Sequence, residues 1–166
     1  MRTTTFFLFS VLFAFSTFAQ NYKAAKYNDK IILIQHKITS KLAKFASSIG
    51  RTPLEKLHNE KDDIEIALSK AIKKVETLDA FEGDIQLRDA SIEWFKLTKK
   101  ILEKDFDEVM HILTKHEKSE IEKQELKDMM NKLVSEEDEI ILKFEKAQEE
   151  FASRHRLELV EVPIKL

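Results

Sequence analysis

The chain has 166 residues, with 28 Lys and Arg against 30 Asp and Glu, two glycines, two prolines and no cysteine. Such an interspersed, near-neutral balance leaves no electrostatic footprint for nucleic acid. Without a thiol there is no disulfide, no cysteine nucleophile and no residue for a lipid attached through an N-terminal cysteine.

The opening MRTTTFFLFSVLFAFSTFAQ sets Arg2 before an apolar stretch from Phe6 to Phe15, with Thr17 and Ala19 ahead of Gln20. A basic start, a short apolar run and small residues at the cleavage positions predict a secretory signal peptide over 1–19. About 14 apolar-rich residues fall short of the ~20 needed to span a bilayer, so an uncleaved anchor is the weaker alternative. The expected protein is therefore secreted or periplasmic, with no transmembrane segment after cleavage. What remains suits one domain over 20–156 with a tail over 157–166.

Beyond the leader the breakers are Gly50, Pro53, Gly83 and Pro163. So few breakers predict long helices whose ends they mark. Thr52, Pro53 and Glu55 read as a capping box with proline at the first helical position. Gly83 and Asp84 read as the end of one helix and the cap of the next. Ser119 and Glu122 form a second capping box. The expected helices span 22–49, 53–82, 85–116 and 120–155. Similar lengths and short connections predict an all-α, antiparallel up-down-up-down four-helix bundle with a short apolar C-terminal tail.

Alternating steps of three and four supply one apolar seam per helix. Helix 1 offers Tyr27, Ile31, Ile34, Ile38, Leu42, Phe45 and Ile49. Helix 2 offers Leu54, Leu57, Ile64, Leu68, Ala71, Val75 and Leu78, interrupted by Lys61. Helix 3 offers Ile92, Phe95, Leu102, Phe106, Val109 and Leu113, interrupted by Lys99, and helix 4 offers Leu126, Met130, Leu133, Ile140, Phe144, Ala147 and Phe151, interrupted by Glu137. Lys99 and Glu137 fall at the same level of their hairpin, so they are expected to form a partly buried pair that sets helix register.

Two Glu-x-x-His strings, Glu55/His58 and Glu108/His111, have the spacing of carboxylate-bridged metal bundles and fall at one level. Their directions disagree with a metal site. At about 100° per residue, His58 lies roughly 80° from its seam and Glu55 roughly 140°. Glu108 and His111 turn still further from theirs than His58 does. No metal, cofactor or catalytic residue is assigned.

Helix 3 carries a second stripe of Leu87, Ala90, Trp94, Leu97 and Ile101. A helix apolar on two sides is more deeply buried or meets something else. Leu87, Trp94, Leu97 and Ile101 are thus candidate partner-binding residues, through a protein or envelope partner or a homodimer. The alternatives are the tail, with Leu157, Leu159, Val162, Ile164 and Leu166, folding over Trp94, and a wider core arc.

Three strings, YNDKIILIQ (Tyr27 to Gln35), FEGDIQLRDA (Phe81 to Ala90) and FEKAQEEFASRH (Phe144 to His155), resemble an uncharacterised Leptospira-type surface-lipoprotein family, also seen in Bacteroidetes. The resemblance implies an exported helical bundle and supplies no catalytic residues. This chain departs from lipoprotein members in lacking the anchoring cysteine. The expected function is that of a non-enzymatic exported bundle that binds a protein or envelope partner. A metal- or small-ligand-binding bundle is the alternative.

Overall fold

The computed structural model describes residues 11–14, 22–49, 51–113 and 117–162. Most of residues 1–19, Gly50, His116, Pro163, Ile164, Leu166 and the side chains of Leu113 and Val162 lie outside this description. The elements are β1 (Val11–Ala14), α1 (Tyr22–Ser48), α2 (Leu54–Glu76), α3 (Gln86–Lys100), a π-helical turn (Ile101–Asp105), α4 (Phe106–Leu113), α5 (Glu120–Arg154) and β2 (Leu159–Val162). The segments α3, π turn and α4 follow one another directly, so four rods form the expected all-α bundle. No helix among the described residues is long and apolar enough to cross a membrane.

The seams explain the packing. Ile34, Ile38 and Phe45 of α1 meet Leu57, Ile64, Leu68 and Val75 of α2, Phe95 and Leu102 of the third rod, and Ile140 of α5 in one core cluster. A second cluster joins Tyr27, Ile31, Ile32, Leu87, Phe144 and Phe151. The rods pack in sequence, α1 on α2, α2 on α3 and α3 on α5. The α1/α5 side is the most widely spaced of the four. It is bridged by a buried amide pair, in which Gln148 Nε2 donates to Asn28 Oδ1 at 3.1 Å. Asn28 Nδ2 and, two turns along α1, Gln35 Oε1 are buried with no hydrogen-bond partner among the described residues. Between Glu120 and Glu139 of α5 no residue is fully buried, so its first half is only partly covered.

Several boundaries differ from expectation. Thr52 does not cap α2, because its N–H bonds back to Ser48 C=O at 3.0 Å and belongs to the end of α1. Pro53 takes the cap position and no side chain caps it. Nor does α2 reach residue 82: it stops at Glu76, and the chain then turns tightly between Phe81 and Asp84. Asp84 still serves the next helix, its Oδ1 accepting the Gln86 N–H at 3.0 Å. The Ser119/Glu122 capping box is complete in both directions, with Glu122 N–H on Ser119 Oγ at 3.2 Å and Ser119 N–H on Glu122 Oε2 at 2.9 Å.

The π turn in the third rod was not expected. Phe106 N–H bonds to Ile101 C=O, one residue further back than an α-helix allows. Just ahead of it, Thr98 Oγ1 donates to Trp94 C=O at 2.9 Å. Such back-bonding competes with the backbone ladder and bends helices. Within the π turn and just beyond it, the third rod buries Leu102, Phe106, Val109 and Met110.

Candidate functional site at the aromatic end of the bundle

The three strings singled out in the sequence meet at one end of the fold. Tyr27 stands near the start of α1, Phe81 in the turn before α3, and Phe151 and His155 at the end of α5. Tyr27 lies 5.3 Å from the Phe81 ring and stacks on Phe151 at 5.6 Å. Phe81 meets Phe151 edge-on at 5.7 Å and His155 edge-on at 4.9 Å, and His155 lies 4.5 Å from Phe151. Tilted and edge-to-face aromatic pairs at such distances add about 0.5–1.5 kcal/mol each beyond their burial.

Two local backbone devices aim these rings. Phe81 and Asp84 exchange both backbone hydrogen bonds, 3.0 and 2.9 Å, around Glu82 and Gly83. Both central residues have positive φ, 53° and 86°, the primed two-residue hairpin turn. Glycine adopts that conformation freely, whereas glutamate does so at some cost. At the other device, α5 ends with Arg156 N–H on Ser153 C=O and Leu157 N–H on Ala152 C=O at 2.8 Å. Arg156 has φ 53°, so this is a Schellman stop with arginine where glycine is usual. It folds Leu157 back against the second core cluster.

An ion-pair set braces the rings. Asp84 Oδ2 accepts Arg154 Nε at 2.9 Å and Nη2 at 2.6 Å. His155 Nε2 lies 3.9 Å from Asp84 Oδ2, and its Nδ1 lies 3.9 Å from Glu82 Oε2. Arg88 holds Asp89 at 2.8 Å and donates to Leu78 C=O at 3.3 Å. The Tyr27 hydroxyl is buried with no hydrogen-bond partner among the described residues. Burial raises its pKa; Arg88 opposes the shift, while Asp84, Asp89 and Asp79 add to it. The phenol therefore stays protonated through the physiological range. Around the cluster, Tyr22 is 70 % exposed, Ile85 44 % and Val160 40 %. Sequence reasoning missed this end because Tyr27 and Phe151 read as ordinary seam residues. The available signal was the turn residues Gly83 and Asp84 set between aromatic strings.

The residues nominated from sequence sit elsewhere. Leu87 and Trp94 are each 1 % exposed, and Leu97 packs partly buried against the first cluster. Ile101 is also partly covered, at the start of the π turn. The second stripe is thus a wider core arc, which corrects its assignment as a binding surface. Of the tail, Leu157 packs in the other cluster, beside Leu87 and Ala90 of that stripe, while Ile164, Leu166 and the side chain of Val162 lie outside the described residues. Lys99 and Glu137 also do not pair: Lys99 binds Glu103 one turn along, at 2.6 Å. The expected level is kept by their neighbours, Lys100 and Glu136, at 3.3 Å. Each helix presents the adjacent residue to the other, so the ion pair forms on the outside. Glu137 is left half-buried and unpaired among the described residues, and burial pushes its carboxyl up to about 8, with Asp138 adding to the shift.

Around the Glu-x-x-His strings, His58 reaches Asp107 at 3.7 Å and meets the Phe106 ring edge-on. Glu55, Glu108 and His111 are exposed. Among the described residues no group of three or more His, Asp or Glu is arranged to hold a metal ion. The buried polar residue there is Lys61, whose Nζ lies 3.3 Å from Asp107 and 3.5 Å from Glu65.

Comparison with known protein families, curated proteins and solved structures finds no match to this chain. The surface-lipoprotein resemblance rests on the three strings alone.

Proposed function

We propose that the chain is an exported, non-enzymatic helical bundle that binds a protein or cell-envelope partner through its aromatic end. The observation that supports this reading most is the braced aromatic cluster itself, with exposed Tyr22, Ile85 and Val160 on the chain segments that lead into and out of it. Apolar side chains gathered on a rigid platform are a common form of recognition surface. The platform holds an aromatic cluster and ion pairs, and among the described residues no nucleophile stands beside a base there, so binding accounts for it better than catalysis. The leader-like first nineteen residues support export to the periplasm or exterior.

The test is capture of partners from the native envelope with wild type and with Tyr22→Ser/Ile85→Ser in parallel. A partner retained by wild type and lost by the variant, with unchanged thermal stability, supports the reading. Equal retention by both would remove the aromatic end as the docking surface.

A further inference from the structure

We propose that the exposed face of α1 is an electrostatic docking surface for a bilayer that carries anionic lipid headgroups.

Over Tyr22–Ser48 this helix holds six lysines, one acid and no arginine. The lysines are Lys23, Lys26, Lys30, Lys37, Lys41 and Lys44, and all six are exposed. At about 100° per residue they fall within an arc of about 60°, so they form a single ridge. At about 1.5 Å per residue that ridge is about 32 Å long. Leu33, 52 % exposed, stands beside the gap between Lys30 and Lys37. Exposed Tyr22 stands at one end, with Lys26 Nζ 5.9 Å above the centre of its ring.

The ridge is left without counter-charge. None of the six lysines makes an ion pair among the described residues. On α5, by contrast, Lys123, Lys132, Lys143 and Lys146 each hold a glutamate three or four residues away. Lys26 and Lys30, and again Lys37 and Lys41, are like charges four residues apart, a spacing that destabilises a helix. Lys23 stands in the first turn, where the helix dipole disfavours a cation. A face that met only water would gain from acids set among its lysines, as on α5. This one is arranged for negative charge supplied from outside the chain.

The form of the ridge selects the occupant. A straight rod touches a plane along its whole length, and each lysine near an anionic leaflet contributes about 1 kcal/mol. Tyrosine and leucine on the same face fit the headgroup boundary. Compact lysine charges suit a diffuse field of headgroups, whereas discrete phosphates favour the arginine fork. Duplex DNA curves away from a straight ridge and is read by Arg, Asn and Gln, none of which is exposed on α1. A second copy is a poor counterpart, because Glu120, Glu136, Glu139 and Glu150 of α5 are held by that helix's own lysines. No helix among the described residues is long and apolar enough to cross a membrane, so the attachment is peripheral. The ridge runs along the side of the bundle and is independent of the aromatic cluster at its end.

The experiment measures binding of the protein, as isolated from its cell, to sedimented vesicles. One set is phosphatidylcholine alone, and the other has about one-third of it replaced by phosphatidylglycerol. Binding to the charged vesicles should be at least tenfold tighter and should be lost as salt rises to about 0.5 M. Lys30→Gln/Lys37→Gln/Lys41→Gln should weaken it about a hundredfold. Lys127→Gln/Lys132→Gln/Lys146→Gln on α5 makes the same change in net charge and should leave binding within about twofold. The thermal midpoint of the α1 variant should lie at or above that of wild type, since repulsion along the ridge is relieved. Equal binding to the two kinds of vesicle, or equal loss in the two variants, overturns the proposal. So does tighter binding, per unit of anionic charge at the same salt, to duplex DNA or to polyglutamate. Those outcomes would make the occupant a nucleic acid or an acidic protein.

Discussion

Arg154 grips Asp84 with two nitrogens, at 2.6 and 2.9 Å, tying the last turn of α5 to the turn that launches α3. Asp84 is the more deeply buried partner and also accepts the Gln86 N–H. Removing it therefore costs more than removing the arginine. Asp84→Ala should destabilise the bundle by about 2–3 kcal/mol, and Arg154→Ala by about 1 kcal/mol. Urea unfolding of the two single variants and the double variant measures this, and equal losses would contradict it.

Asn28 and Gln148 form a buried amide pair that bridges α1 and α5. Truncating Gln148 to Ala leaves the buried Asn28 Oδ1 without its donor, at a cost of about 1–3 kcal/mol beyond lost packing. Replacing both with leucine should recover much of that loss. A double-mutant cycle by chemical denaturation reads the coupling, and simple additivity would show that the pair is not coupled.

Glu137 brings a pH dependence. Its folded carboxyl titrates near 8, above the ordinary value of about 4.5. Protonation is thus favoured by folding: the contribution is fully present below about pH 4.5 and is lost as pH rises through 8. Thermal melts should show wild type losing stability between pH 5 and 8 relative to Glu137→Gln. Parallel pH curves for the two proteins would contradict this. The charge that acts on it is Asp138 on the same helix, and its other neighbour in the chain, Glu136, is held by Lys100.

Trp94 is the sole tryptophan, which makes its burial directly measurable. Its emission should be blue-shifted and poorly quenched by iodide in the free protein. Trp94→Ala should cost about 3–5 kcal/mol, as for large core aromatics. A red-shifted, readily quenched signal would return the second stripe of α3 to the surface.

Much of the bundle is legible in the sequence because steps of three and four are a direct imprint of helix geometry. Phe95, Leu68, Val75 and Phe151 fall where those steps put them. Ser119 and Glu122 close their box because both partners of that contact lie within one turn. Rotation about a helix axis is harder to read. Lys99 and Glu137 stand at the right height, yet Lys100 and Glu136 face each other, since a shift of one residue turns a side chain by about 100°. The second stripe of α3 is ambiguous for a related reason: periodicity marks which faces are apolar, and only the fold says what covers them. Asn28, Gln35 and Gln148 stay hidden because a polar residue reads as outward until a partner is in view. The turn at Glu82 is hidden likewise, since glutamate gives little warning of a positive φ.

The uneven burial along α5 gives the molecule a mechanical polarity. From Ile140 onward the helix is anchored by Phe144, Phe151 and the braced ring cluster, while its first half rests on partly covered side chains. One end of the bundle is thus a stiff grip and the other a compliant stem. Amides of α5 should exchange with solvent along a gradient, slowest near Phe151 and fastest toward Glu120. Under partial denaturation, fraying of α5 would begin toward Glu120 and reach Phe151 last.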